Sequence, residues 1–227
     1  MSQNRSQAVM AQRFEPHDSL DFFPTPAWAT RALCEQLFGR IDGSVAWDPA
    51  CGQGHMALAL SDYCAAVYAS DVHDYGRGYL VHDFLMPYAP TGMTGPEWVI
   101  TNPPFRLAGP FVLRALELAG VGVAMFVRTA FLEGDDRYRQ LFKRHRPAVV
   151  YQFCERVILA KGIVRDPSVK YWNEKKQRLQ LPSSATAYCW VVWLKHPVTP
   201  AMTRFEWIPK CRTRLERPGD YIQLEAA

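Results

Sequence analysis

Residues 44–71 read SVAWDPACGQGHMALALSDYCAAVYASD, and the order of residue types along them decides the class of fold. Ser44-Val45-Ala46-Trp47 is a short apolar run of strand character, and residues 65–70 form a second one that ends at Asp71. Between them Asp48-Pro49-Ala50-Cys51-Gly52-Gln53-Gly54-His55 makes a tight glycine-bearing turn, and residues 56–60 open a helix. Strand, glycine turn, helix, strand, acid is how a doubly wound α/β sheet begins. Glycines remove Cβ atoms where a ligand approaches the backbone, and a helix N-terminus offers free N–H groups and a positive dipole to a carboxylate. The turn is not a phosphate loop, because no G-x-x-x-x-G-K-[ST] pattern is present and two glycines are too few for a dinucleotide fingerprint. Asp71, at the tip of the second strand, is placed to accept hydrogen bonds from a ribose diol.

Upstream, Asp21-Phe22-Phe23-Pro24-Thr25-Pro26 is an extended, proline-stiffened segment, and residues 27–38 have helical composition before Gly39. Downstream the alternation continues with a short segment at 82–85, a Pro/Gly-rich loop at 87–96, a strand at 98–101, a helix at about 107–119 and a strand at 121–127. Residues 137–145 look helical and strongly basic. Residues 148–153 and 185–194 read as two more strands that pair as a late antiparallel addition. The expectation is a Rossmann-like, mostly parallel seven-stranded sheet with a late antiparallel strand. Residues 1–20 read as a flexible arm, about 155–184 as a basic surface insertion, and 201–227 as a basic tail.

The 227 residues suit one domain with a sizeable core and no need of disulfides. Residues 1–13 lack the apolar core of a signal peptide and no run approaches membrane-spanning length, so the expected location is cytoplasmic. The cysteines form no C-x-x-C pair and the histidines no ligand ladder, so no metal site is expected. Charge is divided unevenly. Residues 1–120 carry 7 Lys/Arg against 12 Asp/Glu, a net −5, whereas residues 121–227 carry 19 against 10, a net +9. A basic second half points to a polyanionic partner.

The apolar run Trp98-Val99-Ile100 leads into Asn102-Pro103-Pro104-Phe105. Two successive prolines hold the chain rigid and leave carbonyls free to accept, Asn102 adds a side-chain acceptor, and Phe105 supplies a flat face. Such a turn suits a planar nitrogen: two acceptors on its hydrogens draw the lone pair out of the π-system.

The glycine turn, the acid after strand two and Thr101-Asn102-Pro103-Pro104-Phe105 after strand four together resemble the S-adenosylmethionine-dependent amino-methyltransferases, over residues 22 to about 194. The resemblance implies a methyltransferase domain at 21–200, with S-adenosylmethionine as cofactor. It implies that Asp48, Ala50, Cys51, Gly52, Gly54 and His55 hold the cofactor's methionine end, and that Asp71 and Val72 hold its ribose. Asn102, Pro103, Pro104 and Phe105 would bind the target amine. Phe23-Pro24-Thr25-Pro26 looks like the N-terminal cofactor segment of DNA adenine methyltransferases, implicating Phe23, Thr25 and Pro26. Asp83 and Phe84 occupy the position of an acid and an apolar residue on the cofactor adenine.

The implied activity is methylation of the adenine N6 amino group in DNA by in-line displacement, with the base flipped out of the duplex. The turn Asn102–Phe105 departs from the common form in having Phe where Tyr is frequent; stacking survives that change. The basic residues Arg137, Arg139, Lys143 and Arg144, with Lys161, Arg165, Lys170, Lys175 and Lys176 of the insertion, would track phosphates, and Tyr171 and Trp172 would stack on bases. The compact size, without a separate recognition domain, resembles the enzymes of phages and prophages rather than those of restriction systems. Adenine N6 in ribosomal RNA and glutamine N5 in a protein are planar amines open to the same turn. A non-catalytic nucleic-acid-binding scaffold is the alternative from another class.

Overall fold

The computed structural model describes residues 21–93, 95–174, 176–195 and 202–221. Within them α1 (Ala27–Gln36), β1 (Val45–Asp48), α2 (His55–Leu60) and β2 (Ala66–Asp71) follow in the order the opening stretch predicts. β1 and β2 pair in parallel from Val45↔Ala66 to Asp48↔Ala69, and the two-residue β3 (Leu80–Val81) extends that edge. The chain then returns to the other side of β1 with β4 (Trp98–Thr101), α3 (Ala108–Leu118) and β5 (Gly122–Arg128), all three strands parallel. A 3₁₀ turn at Thr129–Leu132 and α4 (Asp135–Arg137), continued by a π-helical turn at Tyr138–Phe142, lead to β6 (Val149–Phe153). The hairpin of β7 (Tyr171–Asn173) and β8 (Arg178–Gln180) precedes β9 (Tyr188–Leu194), β10 (Arg204–Ile208) and α5 (Arg212–Leu215).

The main sheet has eight strands in the order β10-β6-β9-β5-β4-β1-β2-β3, and β9 alone runs antiparallel, between β5 and β6. Both faces of its centre are covered, which is why β4, β5 and β9 read as continuous apolar runs. Period-two alternation assigns the side chains to layers. Tyr188, Trp190 and Val192 join Trp28, Leu33 and Phe126 on one face; Cys189, Val191 and Trp193 join Trp47, Phe111 and Met125 on the other.

Three sequence expectations change. The sheet has eight strands, not seven, because Arg204–Ile208, read as part of a basic tail, pairs with β6 as its parallel edge strand. Four of its five residues are exposed, so only the backbone ladder betrays it. The insertion at about 155–184 carries the β7–β8 hairpin, and the segment at 82–85 is a turn following β3. Residues 1–20 and Lys175 lie outside the described residues.

The C-terminal segment is locked to the domain by Arg31, a buried residue of α1. Its Nη1 and Nη2 donate to the two carboxylate oxygens of Asp220 at 2.7 and 3.0 Å, its Nε to Asp62 at 3.2 Å, and Nη1 also to the Leu215 carbonyl at 2.9 Å. Removing one partner of a buried pair strands the other's charge. Arg31→Ala is therefore expected to lower stability by about 3–5 kcal/mol, read as a fall in the urea unfolding midpoint; a midpoint unchanged from wild type would refute the role.

Candidate active site

Strand order reverses between β1 and β4, so the loops leaving these neighbours diverge and open a crevice at their C-terminal ends. Thr101, the last residue of β4, bridges the crevice by donating from Oγ1 to Asp48 Oδ1 at 2.7 Å. Asp48 is buried, and its Oδ2 has no hydrogen-bond partner. Burial pushes its pKa from the ordinary 3.8 up to about 7, against the opposing pull of the Thr101 hydrogen bond.

The glycine turn is held to the end of β2 by Asp71. Its Oδ2 accepts from the Gly52 N–H at 2.8 Å and its Oδ1 from the His73 N–H at 3.1 Å. Burial raises the Asp71 carboxyl, and each oxygen keeps a further lone pair. Gly52 and Gly54 have φ of +54° and +89°, values that side chains other than glycine's adopt with strain. A Cβ on Gly52 would be driven into the Phe22 ring, and one on Gly54 into Tyr79. The glycines thus serve the backbone conformation and an aromatic cover. That cover could not be read from the local pattern, although Phe22 adjoins the Phe23–Pro26 motif.

The Asn102 turn meets the N-terminal segment through two hydrogen bonds. Asn102 Nδ2 donates to the Phe23 carbonyl at 2.8 Å, and the Phe105 N–H donates to Asp21 Oδ2 at 2.7 Å. A carbonyl can only accept, so the amide must turn its NH₂ toward Phe23. Asn102 Oδ1 is left buried and without a partner. The Phe105 ring packs against Phe23, centroids 5.5 Å apart, and the Arg128 guanidinium carbon lies 3.9 Å from its centroid.

These elements enclose a cavity of about 220 Å³. Of the residues singled out from the sequence, Phe23, Thr25, Asp48, Ala50, Cys51, His55, Asp71, Val72, Asp83, Phe84, Asn102 and Pro104 line it. Pro26, Gly52, Gly54, Pro103 and Phe105 stand outside its lining. Three residues of its lining each carry a buried oxygen without a hydrogen-bond partner: Thr25 Oγ1, Asp48 Oδ2 and Asn102 Oδ1. Buried polar atoms are normally satisfied, so these three acceptors gathered around one cavity suit a ligand rich in donors. Such a ligand fits S-adenosylmethionine, whose α-ammonium, ribose hydroxyls and exocyclic amine are all donors, with Asp48, Asp71 and Asp83 as acceptors. Phe84 and Val72 add apolar surface. Tyr75, which also lines the cavity and packs on Phe22 at 4.6 Å, had no signal in the sequence.

A second cavity, of about 310 Å³, lies on the insertion's side of Phe23 and includes Leu159, Lys161, Arg165, Tyr171 and Ser183 in its lining. The insertion is pinned there by the Gly162 N–H, which donates to the Phe22 carbonyl at 2.9 Å. The Arg165 guanidinium lies 3.9 Å from the Tyr171 ring centroid. Lys170, Trp172 and Lys176 are exposed on and around the hairpin.

The remaining basic residues are arranged otherwise than expected. Arg137 Nη1 donates to the Phe131 and Glu133 carbonyls and the guanidinium lies over the Phe131 ring, so this end of the side chain serves the fold. Arg139 pairs with Asp135 at 2.7 Å on the surface. Lys143 and Arg144 precede β6, whose first residue pairs with Val192 beside the start of β5, at the end of the sheet opposite Asn102. Among the described residues no group of three or more His, Cys, Asp or Glu is gathered for a metal, and no helix is long and apolar enough to cross a membrane.

No family model and no curated protein matches the sequence. Solved structures match the fold. A type I restriction-modification system methyltransferase subunit from Streptococcus thermophilus superposes with a TM-score of 0.57 at 12% identity, over 78% of this chain and 45% of its own. A modification subunit described as belonging to a type I restriction enzyme, from Vibrio vulnificus YJ016, gives 0.51 at 12% identity, over 90% of this chain and 50% of its own. What is shared is the Rossmann-like methyltransferase fold. The chain spans about half the length of these two subunits.

Asp48 gives the site a pH signature. A carboxyl whose folded pKa lies above its unfolded value binds protons more tightly when native, so its share of stability falls as pH rises through the window from about 3.8 to about 7. The difference in unfolding free energy between wild type and Asp48→Asn is expected to drift against wild type across that window and level off above it. Urea titrations at a series of pH values would show a constant difference if the carboxyl titrated normally.

Proposed function

We propose that this chain transfers a methyl group from S-adenosylmethionine to the N6 amino group of adenine in DNA. One observation carries the reading: Asn102, which lines the cavity, has its amide NH₂ turned to the Phe23 carbonyl and its acceptor Oδ1 buried without a partner. An acceptor held in that way needs a donor with little else to do, and an amino group conjugated to a ring is such a donor.

Asp48, Asp71 and Asp83 would hold the cofactor, which supplies an electrophilic methyl group when bound. Asn102 Oδ1 and the Pro103 carbonyl would accept the two hydrogens of the target amine, pulling its lone pair out of conjugation. Positive charge then grows on the nitrogen, and both acceptors strengthen as it does, which is the condition for lowering a barrier rather than merely binding. The Phe105 N–H bond to Asp21 keeps the turn rigid meanwhile.

DNA is favoured as the carrier of the amine by the position of the insertion. Lys161, Arg165 and Tyr171 line a cavity that shares Phe23 with the first, and Trp172 stands exposed on the hairpin beyond. Two solved structures of the same fold are modification or methyltransferase subunits of restriction systems, which supports the same substrate class.

DNA and RNA incubated with tritiated S-adenosylmethionine and digested to nucleosides are expected to give label in N6-methyldeoxyadenosine. Label in N4-methylcytosine or in a ribonucleoside, or no label in any nucleoside, would overturn the assignment to adenine in DNA. Asn102→Ala should keep cofactor affinity, measured by calorimetry, and lose transfer by roughly 10²-fold or more, the scale seen when one preorganised polar contact is removed. Transfer at the wild-type rate would remove Asn102 from the mechanism.

A further inference from the structure

Arg128 is the last residue of β5 and lies beside the Asn102–Phe105 turn at the C-terminal end of the sheet. Its guanidinium carbon, 3.9 Å from the Phe105 centroid, is within contact distance of the ring face. Its Nε is buried and has no hydrogen-bond partner. A buried N–H left unmade carries a desolvation penalty, and packing alone does not account for it, since an aliphatic side chain would cover Phe105 without that penalty. Phe23 approaches the same ring, centroids 5.5 Å apart and planes inclined at 37°. Phe105 is therefore flanked by Arg128 and Phe23. A base that reached for Phe105 would have to displace one of them.

We propose that the plane on which the target base stacks is the Arg128 guanidinium, backed by Phe105, rather than Phe105 itself. This rests on the nucleobase reading above. A guanidinium is flat, permanently charged and weakly hydrated, so it can lie on an aromatic ring with one face and on a base with the other. Across Phe23 the same construction recurs, with Arg165 over Tyr171 in the second cavity. Lysine keeps the charge of Arg128 but not the plane, and this separates stacking from attraction to phosphate.

The test compares wild type, Arg128→Lys and Arg128→Ala with a mixed-sequence DNA duplex, measuring KM for DNA, kcat, and cofactor Kd by calorimetry. Both variants are expected to raise KM for DNA by about 5- to 150-fold, the loss of one stacked base, with cofactor Kd within about twofold of wild type. An Arg128→Lys enzyme with wild-type KM would overturn the proposal in favour of a simple charge contact. A cofactor Kd that worsens in step with KM would overturn it in favour of a structural role. A wild-type protein that methylates no nucleic acid would fail at the control, which overturns the nucleobase reading itself and is visible before any variant is made.

Discussion

A single hydrogen bond, from the Asn102 amide to the Phe23 carbonyl at 2.8 Å, organises the functional end of this molecule. It joins a segment that precedes the first helix to a turn that follows the fourth strand, and so closes the crevice that strand order opens. It also sets the chemistry, because an amide has one donor end and one acceptor end and only one of them can face a carbonyl. Remove it and Asn102 becomes an ordinary polar residue at a strand tip, free to turn either way.

Around that bond the site is kept polar at the expense of stability. Asp48 is buried at the switch point with one oxygen bound by Thr101 and the other bare, and burial, with the nearby Asp71 charge, lifts its carboxyl to about 7. Thr25 and Asn102 add further bare oxygens to the same cavity. Dense apolar layers on both faces of β5 and β9 supply the burial that makes such a concentration of unsatisfied groups tolerable. The Arg31 cluster anchors the C-terminal segment to α1, so the last strand and helix are part of the domain.

What the sequence made legible was local or central. The stretch at 44–71 carries its fold in short-range order, and β4, β5 and β9 announce themselves because burial on both faces demands uninterrupted apolar residues. β10 is invisible by the same logic, since an edge strand whose side chains are mostly exposed can read Arg-Phe-Glu-Trp and be held by backbone alone. Lys143 and Arg144 were grouped with the insertion by charge, but charge counts carry no direction, and the path of β6 sends them to the far end of the sheet. Arg128 carries no signal in the sequence. Its contact with Phe105 joins two loops 23 positions apart in the chain, a proximity that only the parallel pairing of β4 with β5 creates.

Phe23 belongs to the walls of both cavities, and its carbonyl and ring both touch the Asn102–Phe105 turn. Two chambers with a common partition are not independent. Whatever free energy one occupant releases by fixing that partition, the other no longer has to supply, and thermodynamic reciprocity makes the gain equal in both directions. Under the proposed function, cofactor and nucleic acid would then be coupled through Phe23, each changing the other's affinity by the same factor.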